Sequence, residues 1–252
     1  MGVPGSESSI LGGAAGQSSG AADFYTYQIE QSLRIDSQTD YLDSPDFSAG
    51  ASEKYTVSCW VKRGKLADYQ VMVGCQSGNW SLSFNASDQV HISSHTVLTT
   101  STVFRDTSAW YHIVAQNGPN SGDGDIYVNG VQQPLGADAF NSNSGMFRSG
   151  LGLHIGQSNS GGYDYQLRGL IAEVYGFSNQ TIAPTALGEF KNGVWIPKEY
   201  TGSYGDSQDF YLKFAAGAIG TDSSGNGNNF STVGTLGTDH ITLDTPTNGT
   251  GG

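Results

Sequence analysis

Six glutamates, Glu7, Glu30, Glu53, Glu173, Glu189 and Glu199, are the side chains best suited to acid–base chemistry in this chain of 252 residues. Retaining glycoside hydrolysis needs two carboxylates about 5–5.5 Å apart. On a strand that means same-face positions two residues apart, typically E-x-D-x-E. None of the six shows that spacing, and the AEVYG segment offers Glu173 alone. Nucleophilic catalysis fares no better: the five histidines are scattered, and there is no G-x-S-x-G turn and no cysteine with an activating neighbour. His112 and His154 each alternate with an apolar residue, Ile113 and Ile155, which predicts that they point to the wetter face of a sheet and not at a metal. Two cysteines, Cys59 and Cys75, make neither a metal cage nor a disulfide framework. Buried thiols are the favoured reading, with a disulfide as the alternative.

Two kinds of loop remain as candidate sites. Asp123 and Asp125 in SGDGDI, and Asp222, Asn226 and Asn228 in TDSSGNGNN, offer the oxygens that calcium takes. The same residue types build ordinary turns. QSGNW and SNSGGYDYQ place Trp80, Tyr163 and Tyr165 beside Asn79, Asn159 and Asp164. Exposed rings stack on pyranose faces while amides and carboxylates fix hydroxyls, so these six are the candidate glycan-binding residues. Trp80 and Tyr165 also begin strand patterns, where a ring packs inward.

The elements that must position these loops are strands. Gly 36, aromatic 11% and charged only 13% describe many turns, many ring-bearing strands and few surface helices. Period-two segments run over Ser32–Asp36, Tyr55–Arg63, Tyr69–Gly74, Trp80–Asn85, Gln89–Ser94, Ala109–Asn117, Gly124–Gln133, Leu151–Gln157, Leu167–Ser178 and Asp209–Phe214. Asn129-Gly130 between alternating apolar residues predicts a type I′ hairpin. One short helix is expected in the C-terminal third, at Ala183–Phe190, with Pro184 in its first turn. The fold class that follows is all-β, a two-sheet antiparallel β-sandwich. A formal charge of −12 repels phosphate backbones and argues against nucleic acid. No run approaches the roughly 18 apolar residues of a membrane span, and the first residues lack the features of an export signal.

The order W-Y-H-I-V, a loop, then I-Y-V-N-G-V resembles the laminin-G-like branch of the concanavalin-A-like lectin/glucanase superfamily. SLRIDSQTDYL with YTVSCWVKRG is similar to that family's opening strands, and GLIAEVYGFSNQTIAPTALGEF to its closing strand and short helix. A narrower set, FYTYQIEQSLRID, VFRDTSAWYHIV, GEFKNGVWIPKEYTGSYG and GTDSSGNGNNF, resembles laminin-G-like modules in structural proteins of marine tailed bacteriophages. The D-x-S-G-N-G-N turn at Asp222 to Asn228 follows the last strand, as in the phage proteins.

The resemblance implies a jelly-roll sandwich that binds or assembles and is not an enzyme, with calcium as the one cofactor to consider. The expected organisation is a Gly/Ser/Ala-rich arm over residues 1–22 that docks on a capsid or tail protein, followed by the sandwich over residues 23–252. The expected role is a virion structural protein, as capsid decoration, head fibre or tail component, made in the host cytoplasm and displayed on the particle surface. Its expected partners are other virion proteins, copies of itself in a trimer, and surface glycans. The alternatives are a receptor-recognition module of a tail fibre and, disfavoured by the lone Glu173, a glycoside hydrolase.

Overall fold

Alternating apolar and polar residues bounded by Gly, Asn and Ser give strands with one dry face. In the computed structural model these stack as two antiparallel eight-stranded sheets. The structure describes residues 24–47, 54–76, 80–93, 97–118, 124–138, 145–160 and 163–247. The first sheet runs Val131–Gln132, Asp125–Val128, Trp110–Asn117, Tyr55–Arg63, Gly169–Ser178, Ser32–Ile35 and Ile241–Thr242, with Phe210–Leu212 also paired to Gly169–Ser178. The second runs Leu135–Asp138, Val97–Val103, Gln89–Ser93, Ser81–Phe84, Gln70–Cys75, Leu153–Ile155, Tyr41–Asp43 and Ser231–Val233. Val57, Cys59, Ile113, Ile171, Leu82 and Ile92 are among the inward residues that fill the space between the sheets.

Asn129 and Gly130 both have positive φ, 50° and 75°, as a type I′ turn requires, and Val131 pairs with Val128 across it. Cys59 and Cys75 are buried and not disulfide-linked. Burial pushes the Cys59 thiol up to about 12, so it stays protonated beside Met72.

Two expectations about the outer faces are corrected. Ala183–Phe190 is not a helix: Pro184–Ala186 makes a single 3-10 turn and the chain then enters strand Gly188–Lys191, which pairs with Val194–Pro197. The pair Asn192-Gly193 closes this hairpin with both φ positive, the same chemistry as Asn129-Gly130. Gly188 is needed here because a Cβ at that position would lie 2.5 Å from the Trp195 ring. His112 points away from the core as expected, but its face is dry, because the hairpin covers it. The Trp60 ring lies 4.7 Å from the imidazole, Trp195 Nε1 donates to its Nδ1 at 3.0 Å, and Nε2 meets Ser58 at 2.8 Å. Burial holds His112 down at about 3, so it is a neutral packing residue. His154 is likewise buried, against Tyr41 and Asp43.

One buried charge cluster fastens the end of the sandwich. Arg63 is fully enclosed, stacks on Phe84 and donates to Asp88 Oδ1 at 3.0 Å, while Arg105 donates to Oδ2 at 2.9 Å. Burial works against the Asp88 charge, but the Ala67 amide and the two guanidiniums outweigh it and hold the carboxyl below its usual range. Removing one partner of a buried pair leaves the other uncompensated, at a cost of about 3–5 kcal/mol. Asp88→Asn, which keeps shape and tolerates the positive φ, is therefore expected to lower unfolding stability by about that amount in urea titration; a loss below about 1 kcal/mol would contradict the assignment.

Candidate functional site

The outward-facing side of the first sheet carries a cluster of tyrosines around one buried carboxylate. Strand Gly169–Ser178 breaks its register with Tyr55–Arg63 between Ala172 and Tyr175, and Glu173 sits in the break with φ +50°. This β-bulge lets Ile171 and Val174 both face the core while Ala172, Glu173 and Tyr175 lie on the outer side. Tyr211 is the direct cross-strand partner of Tyr175, and the two rings stack at 4.1 Å. The loop after the Val194–Pro197 strand adds Tyr200 and Tyr204, and Tyr27 arrives from the segment before the first strand.

Glu173 Oε2 accepts hydrogen bonds from Tyr27 at 3.0 Å, from Tyr175 at 2.9 Å and from Tyr211. The Tyr27 and Tyr211 hydroxyls are themselves 2.9 Å apart. All three contacts fall on Oε2, which leaves Oε1 as the atom offered to a cleft of about 180 Å³ lined by Tyr27, Glu30, Glu173 and Lys213. A second cleft of about 170 Å³ lies beyond Tyr27 and Lys213, between Tyr200, Tyr204 and Glu199. Lys213 Nζ stands 5.2 Å from the Tyr211 ring centre.

Burial is the main cause that raises the Glu173 carboxyl above its ordinary range, and the three hydroxyls and Lys213 offset part of it. Burial and the Glu173 charge push the Tyr27 and Tyr211 hydroxyls up. These phenols therefore keep their protons and act as donors, the opposite of an activated phenolate nucleophile. The site can hold a polar, hydroxyl-rich ligand between aromatic walls, with a carboxylate acceptor and an ammonium donor.

Among the described residues, the two aromatic candidates Trp80 and Tyr165 are not brought together. Trp80 is 1% exposed, with its ring edge-on to Tyr55 and its Nε1 donated to the Tyr55 hydroxyl at 2.9 Å, so it belongs to the core and presents no face to a sugar. Tyr165 lies on the outer side of the second sheet, 4.9 Å from Tyr69. Asn159 pairs with Asp164, and Ser160 with Tyr163, across a hairpin; the side chains of Asn159, Tyr163 and Asp164 lie outside the described residues, as do Asn79 and Asp123.

The loop considered for calcium is organised by its own hydrogen bonds. Asp222 already accepts from the amides of Tyr211, Ser224 and Asn228 and from the Ser224 hydroxyl. Asn226 and Asn228 both turn their Nδ2 donors onto the Asp209 carbonyl, at 3.1 and 2.9 Å. These bonds make the loop a hydrogen-bonded turn, the ordinary use of Asx and Gly residues. Asp125 instead accepts from Gln132.

A family model described as concanavalin A-like lectin/glucanases superfamily matches residues 36–181. The chain belongs to this superfamily. Among solved structures of the fold, a Bacteroides ovatus protein described as a candidate carbohydrate binding protein has TM-score 0.57 and 17% identity over 87% of this chain. The chain spans 62% of that protein's length. A heptameric pentraxin from Limulus polyphemus has TM-score 0.49 and 13% identity, covering 63% of this chain and 81% of its own. The sialidase CBM40 of Ruminococcus gnavus, bound to alpha2,3 sialyllactose, has TM-score 0.40 and 17% identity, covering 57% of this chain and 89% of its own. No curated protein matches this chain. Within the superfamily match lie Glu173 and Tyr175, whereas Tyr27, Tyr200, Tyr204, Tyr211 and Lys213 all fall outside it.

Sequence reading missed this site because its parts are far apart along the chain. One signal was available: strict alternation from Ile171 would send Glu173 into the core, and a lone buried glutamate there requires a bulge. Since Glu173 holds its proton more tightly folded than unfolded, its contribution favours the fold at low pH and is lost as pH rises through the folded value. Glu173→Gln removes that dependence. The melting temperature of the parent should fall relative to the Gln variant as pH rises from about 4.3, with the gap levelling once Glu173 is ionised; a gap that stays constant or reverses contradicts the assignment.

Proposed function

We propose that this chain is a non-enzymatic carbohydrate-recognition module, that the tyrosine-walled clefts around Glu173 are its binding site, and that it is displayed on the surface of a bacteriophage particle. The observation that carries the recognition role is the Glu173 carboxylate, with three tyrosine hydroxyls gathered on Oε2 and Oε1 toward the cleft shared with Lys213. Sugars need that combination of a fixed acceptor, a fixed donor and flat apolar rings. Membership of a lectin/glucanase superfamily and the carbohydrate-binding description of the Bacteroides ovatus neighbour agree with it. The raised tyrosine hydroxyls and the absence of an E-x-D-x-E strand support binding without hydrolysis.

The virion role rests on the sequence resemblance to phage structural modules and on the Gly/Ser/Ala-rich residues 1–22, which suit an arm that gains order on a partner. Capsid decoration or a head fibre is the first reading, with homotrimers as the unit and weak single-site glycan affinity strengthened by multivalency. A tail-fibre adhesin is the alternative.

Glycan-array binding of the parent, Tyr200→Ala and Lys213→Ala tests the recognition role. Both variants should lose about tenfold or more in affinity; Lys213→Ala, at an exposed position, should leave the melting temperature nearly unchanged, whereas Tyr200→Ala also gives up ring contacts with Tyr175, Phe177 and Tyr204 and should lower it. Undiminished binding in both would remove the clefts as the site. Deletion of residues 1–22 should abolish attachment to the particle while the sandwich stays folded, and unimpaired attachment would remove the arm from the account.

A further inference from the structure

Asp36, Asp40 and His240 come together at one end of the sandwich from opposite ends of the described chain, and one ligand atom from each lies within 4.8 Å of the others. The turn between Ile35 and Tyr41 delivers the two aspartates, and the 3-10 turn Thr238–His240 delivers the imidazole. Gly234, at φ +80°, lets the intervening loop press onto Asp40, where a Cβ would lie 2.3 Å from Oδ1.

The imidazole is the telling part. His240 is 7% exposed, and its Nδ1 is 3.1 Å from Asp239 Oδ1 and 3.2 Å from the Gly237 amide. Its Nε2 points into the cluster and stops 3.6 Å from Asp40 Oδ2, beyond a hydrogen bond. The 3.6 Å separation is close to the roughly 3.4 Å expected between two ligand atoms that each lie about 2.1 Å from a tetrahedral zinc. Asp40 is fully buried, and the Thr235 amide and hydroxyl hold it in place. Asp36 is exposed, with Arg34 Nε 3.3 Å from its Oδ2.

We propose that Asp36, Asp40 and His240 form a binding site for a divalent transition-metal ion of the zinc class. One imidazole with two carboxylates is a borderline donor set that favours zinc over calcium, which prefers six or more oxygens. Here the Gly237 amide donates to Nδ1; with a metal on Nε2 the ring proton would sit on Nδ1 facing Asp239 Oδ1, the arrangement that orients many metal-bound histidines, and the Gly237 contact would be given up. The ion would fasten the C-terminal segment to the start of the first sheet.

The test uses the full chain stripped with chelator and titrated with zinc alone, against Asp36→Asn and His240→Gln. Zinc at about 100 times its Kd should raise the parent melting temperature by about 5 °C or more, and calcium at the same concentration should do much less. Asp36→Asn, at an exposed position, should keep the metal-free melting temperature and weaken zinc binding at least tenfold by calorimetry. Zinc K-edge absorption of the loaded parent should show one imidazole nitrogen among oxygen ligands. Zinc that leaves the parent unchanged up to about 100 µM, or that binds parent and both variants alike, overturns the site.

Discussion

The candidate site depends on one extra residue in one strand. Without the bulge at Ala172–Tyr175, period two would place Glu173 between the sheets beside Ile171, where an unpaired carboxylate is prohibitively costly. The bulge turns Glu173 outward, keeps Ile171 and Val174 in the core and brings Tyr175 into register with Tyr211. A left-handed backbone at a non-glycine residue is strained, and the hydroxyls of Tyr27, Tyr175 and Tyr211 on Oε2 hold it in place. Strand geometry and site chemistry are thus a single arrangement.

The outer side of a sandwich sheet is usually wet, and here much of it is covered. The hairpin Gly188–Lys191/Val194–Pro197 lays Trp195 over His112 and Trp60, while residues 24–31 cross the same face. Tyr27 is tied to Glu173 and Tyr211, and Thr247 brackets the Ile29 backbone through both its amide and its carbonyl. Of these, the segment carrying Tyr27 walls the clefts together with Tyr200, Tyr204, Tyr211 and Lys213, all outside residues 36–181. Residues 36–181 supply most of the sheet strands, and the segments outside them supply most of the contact chemistry.

The framework was legible in the sequence wherever period two and turn chemistry agreed. Tyr55–Arg63, Trp110–Asn117 and the Asn129-Gly130 hairpin show this, since their inward residues are uniformly apolar and their turn residues accept positive φ. Val97–Val103 was illegible because Thr and Ser alternate with its few apolar residues, and Gly188–Pro197 because Pro184, Ala186 and Leu187 imitate a helix start while Asn192-Gly193 marks a turn. Trp80 packs inward as the strand pattern it begins implies, so that pattern outweighed the polar loop composition that made it a glycan-binding candidate. Tyr27, Glu173 and Lys213 converge only through sheet pairing, which no local pattern records. The Asp40–His240 approach, two hundred residues apart in sequence, is illegible for the same reason.

The most direct measurement of the central claim is a crystal structure of the chain with a bound oligosaccharide selected from a glycan array. The account predicts ligand density in the clefts beside Tyr27, with a sugar hydroxyl within hydrogen-bond distance of Glu173 Oε1 or Lys213 Nζ. Density confined to the outer face of the second sheet, beside Tyr69 and Tyr165, would contradict it.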